Sequence, residues 1–580
     1  MRRFWIAFFC VAIVIGGGLV WISRVVDRLD PAAGGRSQGS GGAGVLRWQV
    51  AEAYPEERDT DALAVVMEGE PVRLRDVVFA LTRAARDRRI TGLLLDVRAV
   101  PAGWAQVEEL RDAVAAFART GKPVAAWLAE GGEKEYALAM AAPRVAMPPE
   151  GSLFILGVSA ELSFLKGTLD KLGMSADFVH VGRYKSAPEQ LTRDSASEAN
   201  REMIAAIVDD HYARLVAAIA AGRQVEPATA RAWIDAGMFD AAAATAAGLV
   251  DTVLALNDFE EAEFPDEEFV DLEDYALGRR HGGTAGTVAL IGVSGTIVPG
   301  ESGYDAWSGR RAGSDTIVER LRRAGDDDAV QAVLLRVDSP GGSALASDLI
   351  WREVARVRDR KPVIVSMGEY AASGGYYVAC GADSIFAEPG TLTGSIGVFA
   401  GKVAMSGLYA KLGITREFVT RGENALLFSD SAPFTEPQRA ALQATLGAFY
   451  ARFVAKVAQG RRLPEAQVAA LAEGRVWTGA QARERGLVDG LGGLTRALDA
   501  AKRMIGVGAD ELVTIVGYEP EPGLFERMLA RMVRRSTVGL HAGLGAALPL
   551  PLPPAGGLLA AAPLLDGRPL ALLPLRIDLR

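Results

Sequence analysis

The chain repeats itself. KLGMSADFVHVG at 171–182 returns as KLGITREFVTRG at 411–422, 240 residues later. YARLVAAIAAGR at 212–223 returns as YARFVAKVAQGR at 450–461, and AGLVD at 247–251 as RGLVD at 485–489, both at an offset of 238. GKPVAAW around Lys122 has its counterpart in RKPVIVS around Lys361. The spacing is far longer than the roughly 20–50 residues of a solenoid repeat. The chain therefore holds two copies of one domain.

In the second copy TVALIGV (287–293), AVLLRV (332–337) and PVIVS (362–366) are short apolar runs that read as buried strands. The stretches 314–325, 344–359 and 435–459 have helical spacing. Near-continuous Val/Leu/Ile strands separated by helices imply right-handed βαβ units on a parallel sheet. The fold class is α/β, twice over. The predicted division is an anchor at 1–30, a tether at 31–60, a first repeat at 61–257, an acidic linker at 258–285, a second repeat at 286–505 and a C-terminal segment at 506–580.

The flanks give each assignment its reason. Phe4 to Ile22 is nineteen residues without charge or proline, nearly enough at ~1.5 Å per residue to span a ~30 Å hydrocarbon layer. Trp5 and Trp21 stand near its ends, as interfacial aromatics do. A cleaved signal peptide would have a shorter apolar core and a small-x-small site, and none follows Trp21. Arg2 and Arg3 face a mixed flank of Arg24, Asp27, Arg28 and Asp30, which leaves the N-terminus cytoplasmic and the bulk outside. Pro31 to Gly44 is rich in Gly and Ser, as tethers are. The net charge of −9 is concentrated between Asp258 and Asp274, where ten acidic residues occur without a Lys or Arg. No basic stripe remains to suggest nucleic-acid binding. Seven prolines after Ser536 exclude a second helical span and leave an extended apolar tail. Two cysteines exclude a disulfide scaffold and an all-cysteine zinc site.

Chemistry in an open α/β sheet sits beyond the carboxyl ends of its strands. Three loops of the second copy lie there. Asp338-Ser339-Pro340-Gly341-Gly342 lets backbone N–H groups approach a ligand. Tyr370 to Tyr376 places Ser373 before Gly374 and Gly375 at a helix start, where the Gly374 N–H points outward. Thr391 to Gly397 is a small polar turn carrying Ser395. Separately these read as a turn, an N-cap serine and a turn hydroxyl. Together they supply a nucleophile and oxyanion donors, the requirements of acyl transfer. The first copy is the control: Ser373 falls on Glu133, Gly374 on Lys134 and Ser395 on Ile155, and AVPAGW replaces DSPGG.

A serine needs a base, and none of the four histidines lies in these loops. His180 sits in the strand-like DFVHV, His211 on a long helix, His281 near the linker and His541 in the tail. The G-x-S-x-G match at 35–39 falls in the tether with no strand before it, outside the context that motif needs. Lys185 remains, in a chain with only ten lysines. A solvated side chain is its ordinary role. If the copies pair, it could instead approach Ser373, and desolvation would leave it a neutral base.

These residues together resemble the signal peptide peptidase A family in its long, tandem-domain form. The matching stretches are GRYKSA (182–187), DSPGG (338–342), YAASGGYY (370–377) and LTGSIGV (392–398), within a resemblance covering residues 60–505. It implies a fold like that of the Clp protease and crotonase group, and a serine–lysine peptidase acting on remnant signal peptides. It further implies Ser373 as nucleophile, Lys185 as base, Ser395 orienting Lys185, and Gly374 with Gly342 as the oxyanion hole. A homotetramer at the cell inner membrane, lipid-anchored through residues 4–22, is expected, with no metal or cofactor. Neither Gly-Lys pair (121–122, 401–402) is followed by the Ser or Thr of a phosphate loop. The competing readings are a crotonase-like acyl-CoA enzyme, which leaves Ser373 and Lys185 without roles, and a silent membrane scaffold.

Overall fold

The structure, a computed structural model, describes residues 43–57, 72–278, 283–305, 309–518 and 570–572. The proposed anchor and most of the C-terminal tail lie outside the described residues. Among the described residues no helix is long and apolar enough to cross a membrane.

Each copy builds a sheet flanked by helices, wholly parallel in the first and parallel but for the end strand Val476–Thr478 in the second. The first has the strand order Thr252–Val253, Arg144–Met147, Val124–Leu128, Ile90–Val97, Gly44–Val50, Phe269–Asp271, with every pairing parallel. Its middle strands are buried on both faces, which is why GLLLDV and VAAWL read as unbroken apolar runs. The second sheet runs Val476–Thr478, Leu392–Gly394, Val363–Ala372, Ala332–Ser339, Thr287–Ser294, Thr514–Gly517 along its main path. Three of these are the strands expected from the apolar runs. The helices Ser314–Asp326, Ala344–Arg358 and Glu436–Arg461 fall on the three predicted helical stretches. The doubled α/β architecture is as expected from sequence.

The boundaries differ from the sequence reading at both ends of the first copy. GVLRWQV, assigned to the tether, is the strand Gly44–Val50, with Val45, Leu46 and Trp48 fully buried. The acidic stretch assigned to a linker is folded. It forms the helix Leu256–Glu263, the strand Phe269–Asp271 and the helix Leu272–Leu277. Most of its carboxylates face outward, Glu260 instead pairing with Arg47, while Phe259, Phe264, Leu272 and Tyr275 are buried. The charge count hid an amphipathic pattern.

A third sheet joins the copies. Its order is Gly303–Asp305, Gly309–Gly313, Thr296–Val298, Gly341–Ser343, Leu570–Leu572, Val398–Ala404, Ser175–Val181. The last strand belongs to the first copy and pairs antiparallel with Val398–Ala404 over seven residues. That ladder carries the chain leading to Lys185 onto the second copy. A buried ion cluster adds a second contact between the copies: Arg336 Nη2 lies 2.7 Å from both Glu56 and Glu109 of the first copy. Removing Arg336 would leave both carboxylates without their counter-charge, at a cost of roughly 3–5 kcal/mol.

Candidate active site

Ser373 follows the strand Val363–Ala372 directly and precedes the helix Gly374–Ala379. Its backbone turns sharply, with φ 54° and ψ −110°, a conformation non-glycine residues rarely adopt. Two hydrogen bonds hold that strain: Ser373 N–H donates to Gly394 O, and Ser373 O accepts from Tyr377 N–H, both at 2.8 Å. The helix starts against the Pro-Gly-Gly loop so closely that a Cβ on Gly375 would lie 2.7 Å from Ser339 O. Gly342, at φ 155°, is pressed onto the neighbouring strand; a Cβ there would sit 2.1 Å from Ile297 O. The first N–H groups of the helix have no intrahelical partner. Gly374 thus follows Ser373 at the helix start, and the loop carrying Gly342 packs against that helix.

Lys185 reaches this serine from the other copy. After the strand Ser175–Val181, Tyr184 N–H donates to Glu473 O at 2.8 Å. Gly474 lies over the Lys185 backbone, where a Cβ would come within 2.6 Å of Lys185 N. This clamp from the second copy aims the side chain inward. Lys185 is 1% exposed, and its Nζ lies 2.8 Å from Ser373 Oγ, 2.9 Å from Ser395 Oγ and 3.2 Å from Ser395 O. Burial pushes its pKa well below that of an ordinary lysine. With the amine neutral, the serine hydroxyl can donate to its lone pair. Ser395 is fixed by its own N–H, which donates to Arg475 O at 2.7 Å.

Histidine is not part of this arrangement among the described residues. His180 is exposed, with Nδ1 3.2 Å from Gly182 O. His211 packs against Trp104 on the helix Glu198–Arg223, and burial drives its pKa down.

The first copy shows what the site becomes without its serine. Glu133 opens the helix Glu133–Ala139, and its carboxylate accepts N–H bonds from Leu156 and, at 2.8 Å, from Gly157. These two are the counterparts of Ile396 and Gly397. Lys134 donates to Ala102 O at 2.9 Å. The corresponding position is filled by the copy's own side chain.

Two carboxyls that sequence reasoning did not single out lie behind the site. Glu369, four residues before Ser373, accepts N–H bonds from Trp104 and Ala105 at 3.1 and 2.9 Å. It thereby caps the first-copy helix Trp104–Ala118. Asp338 Oδ1 accepts from Tyr370 N–H at 3.0 Å. Burial raises Asp338 to about 6 and Glu369 to about 7. No motif signals it; the close fit shows only in the fold, where a Cβ on Gly103 would lie 2.0 Å from Glu369 Cδ.

A strained serine hydroxyl against a buried amine, with backbone donors at hand on a doubled α/β scaffold, defines a serine hydrolase. The profile of Peptidase family S49 matches residues 116–262 and 355–508, one stretch in each copy. The chain belongs to this family and is a serine peptidase. It is 34% identical over 498 residues to the "Serine protease SPPA, chloroplastic" of Arabidopsis thaliana, covering 81% of this chain and 73% of that one. It is 33% identical over 498 residues to "Protease 4" of Haemophilus influenzae, covering 81% and 77%. "Protease 4" of Salmonella typhi is 33% identical over 499 residues, covering 83% and 79%. The acyl-CoA and silent-scaffold readings are set aside by this membership.

Proposed function

We propose that the chain is a membrane-anchored endopeptidase in which Ser373 is the nucleophile and Lys185 the general base. The observation that carries this is the 2.8 Å approach of a buried Nζ to Ser373 Oγ across the two copies. Neutral Lys185 takes the hydroxyl proton as Oγ bonds to the peptide carbonyl carbon. The oxyanion is held by the N–H groups of Gly374 and Gly342. Lys185 then gives its proton to the departing amine as the C–N bond breaks. Lys185 next deprotonates a water as it attacks the acyl carbon, and returns that proton to Ser373 Oγ as the ester C–O bond breaks. Ser395 keeps Nζ on this path. The parallel sheet with its catalytic helix start supports the Clp protease/crotonase fold group.

Substrates are cleaved signal peptides and related apolar segments held near the bilayer, which residues 4–22 would serve by anchoring the enzyme in the cell inner membrane with its catalytic copies outside. The working form is a homotetramer. Supporting this, residues 411–422 repeat the first-copy segment that forms the strand Ser175–Val181, yet 411–420 lies fully exposed outside the sheets, with Val419 88% exposed. The first-copy counterpart of Val398–Ala404 is 158–164, which alternates half-buried and exposed residues as a strand does. Pairing 415–421 of one chain with 158–164 of the next would repeat the internal ladder head to tail and close a ring.

A fluorophosphonate probe tests the chemistry. It should label Ser373 in the native chain, while Ser373→Ala and Lys185→Ala should lose both labelling and peptide hydrolysis with the fold intact. Hydrolysis retained in either variant would refute the pair.

A further inference from the structure

The C-terminal strand Leu570–Leu572 is seated beside the oxyanion loop. It runs antiparallel to Gly341–Ser343, with Leu572 opposite Gly341, Ala571 opposite Gly342 and Leu570 opposite Ser343. On its other edge it meets Phe399 of the strand Val398–Ala404, again antiparallel. The helix Gly374–Ala379, which begins just after Ser373, lies against the same strand. An extended peptide inserted between two strand edges is how main-chain recognition of a substrate works. The inserted backbone here passes the glycine whose N–H is assigned to the oxyanion.

Its side chain is seated as well. Leu570 is 2% exposed and packs with Ala187, Phe399 and Phe178. Ala187 follows Lys185 by two residues, so the pocket is built between the base-bearing chain of the first copy and a strand of the second. The segment is Arg-Pro-Leu-Ala-Leu-Leu-Pro-Leu from 568 to 575. Pro569 and Pro574 bracket it, cannot continue a helix and favour the extended form. Its Leu/Ala content matches that of an apolar membrane-derived peptide. The strand Leu570–Leu572 thus presents apolar residues in the extended form in which a peptide adds to a strand edge.

We propose that this C-terminal strand is an intramolecular occupant of the substrate groove. It competes with peptides for the place beside Gly341–Ser343, and the Leu570 pocket of Phe178, Ala187 and Phe399 selects an apolar substrate side chain. This rests on the assignment of Ser373 as nucleophile. No bond is made or broken; occupancy alone holds activity back and yields to substrate. Because Phe178 and Ala187 belong to the first copy and Phe399 to the second, selectivity, like the catalytic pair, depends on both.

The test uses the full chain in detergent beside a truncation ending at Asp566 and the variant Leu570→Asp. The readouts are KM and kcat for an apolar fluorogenic peptide and the rate of Ser373 labelling by a fluorophosphonate. Both variants should lower KM at least about threefold, the factor for a groove two-thirds occupied, with kcat unchanged and labelling faster. A synthetic peptide of residues 567–575 should compete with substrate on the truncated enzyme, and the same peptide with Asp at the Leu570 position should not. Unchanged KM and labelling in both variants, with no competition by the peptide, would overturn the proposal while leaving the nucleophile in place. Absence of Ser373 labelling in every chain would overturn the nucleophile assignment and the proposal with it.

Discussion

Replacing Lys185 by Met keeps most of the side-chain volume and removes the titrating amine. In the native chain the residue is 1% exposed, and burial holds its pKa well below the ordinary value. Between that depressed pKa and ~10.4, the unfolded chain binds a proton that the fold refuses. Stability from this group therefore rises with pH across the window, and is lost as pH falls towards the depressed value. The slope is about 1.4 kcal/mol per pH unit for one proton. A chain with Met at 185 lacks it. The gap between the two proteins should widen in favour of the native chain as pH rises from 7.5 to 9.5, at up to about 1.4 kcal/mol per pH unit. Other titrating groups are common to both and cancel. Urea midpoints at the two pH values read the gap directly, and peptide hydrolysis by the Met chain should fall at least ~10²-fold. Parallel midpoints across the range would mean that Lys185 stays protonated in the fold. An ammonium cannot accept the Ser373 proton, so that result would refute the base.

Ser395→Ala removes the acceptor 2.9 Å from Lys185 Nζ. The protonated amine loses more than the neutral one, so the rising limb of kcat/KM should move to lower pH while kcat falls roughly 2–10-fold; an unmoved limb would assign Ser395 a structural role only. Gly342→Ala places a Cβ 2.1 Å from Ile297 O, and the displaced loop should cost ~10²–10³ in kcat with KM little changed; near-native kcat would remove Gly342 from the oxyanion site. Burial raises Glu369 from 4.5 to about 7, so its contribution is present below the ordinary carboxyl pKa and lost as pH rises through about 7. Glu369→Gln should flatten that loss of about 3 kcal/mol between pH 4.5 and 7, and identical pH–stability curves for the two chains would contradict the assignment.

The second copy was legible because its strands are buried on both faces and so appear as unbroken apolar words, AVLLRV and PVIVS. Ser373 and the Pro-Gly-Gly loop were legible because close backbone approach needs glycine. Lys185 could be named by elimination, but its burial could not be foreseen, because the clamp of Glu473 and Gly474 comes from nearly 300 residues away. The acidic stretch misled for a physical reason. A helix and strand on the surface need only one buried face, and Phe259, Phe264, Leu272 and Tyr275 supply it beneath ten carboxylates. Glu369 was silent because a buried carboxyl shows itself only through the helix it caps.

The duplication explains why the proposed catalytic pair is divided. In each copy one loop presents a helix start, and the first copy also reaches outward as the strand arm Ser175–Val181, whose second-copy counterpart 415–421 lies outside the sheets. The first copy kept its arm, which pairs with Val398–Ala404 and brings Lys185 onto Ser373. Its own helix start is closed by Glu133, whose carboxylate takes the N–H groups of Leu156 and Gly157. The second copy kept its serine and has Ala425 where the lysine would stand. Each copy therefore lost the half that the other supplies, and neither half alone can deprotonate a hydroxyl. A chain divided between Gly278 and Gly283, past the last first-copy helix Leu272–Leu277, would remain inactive as separate halves, and would recover hydrolysis only when the Ser175–Val181 arm of one half reaches the Val398–Ala404 strand of the other.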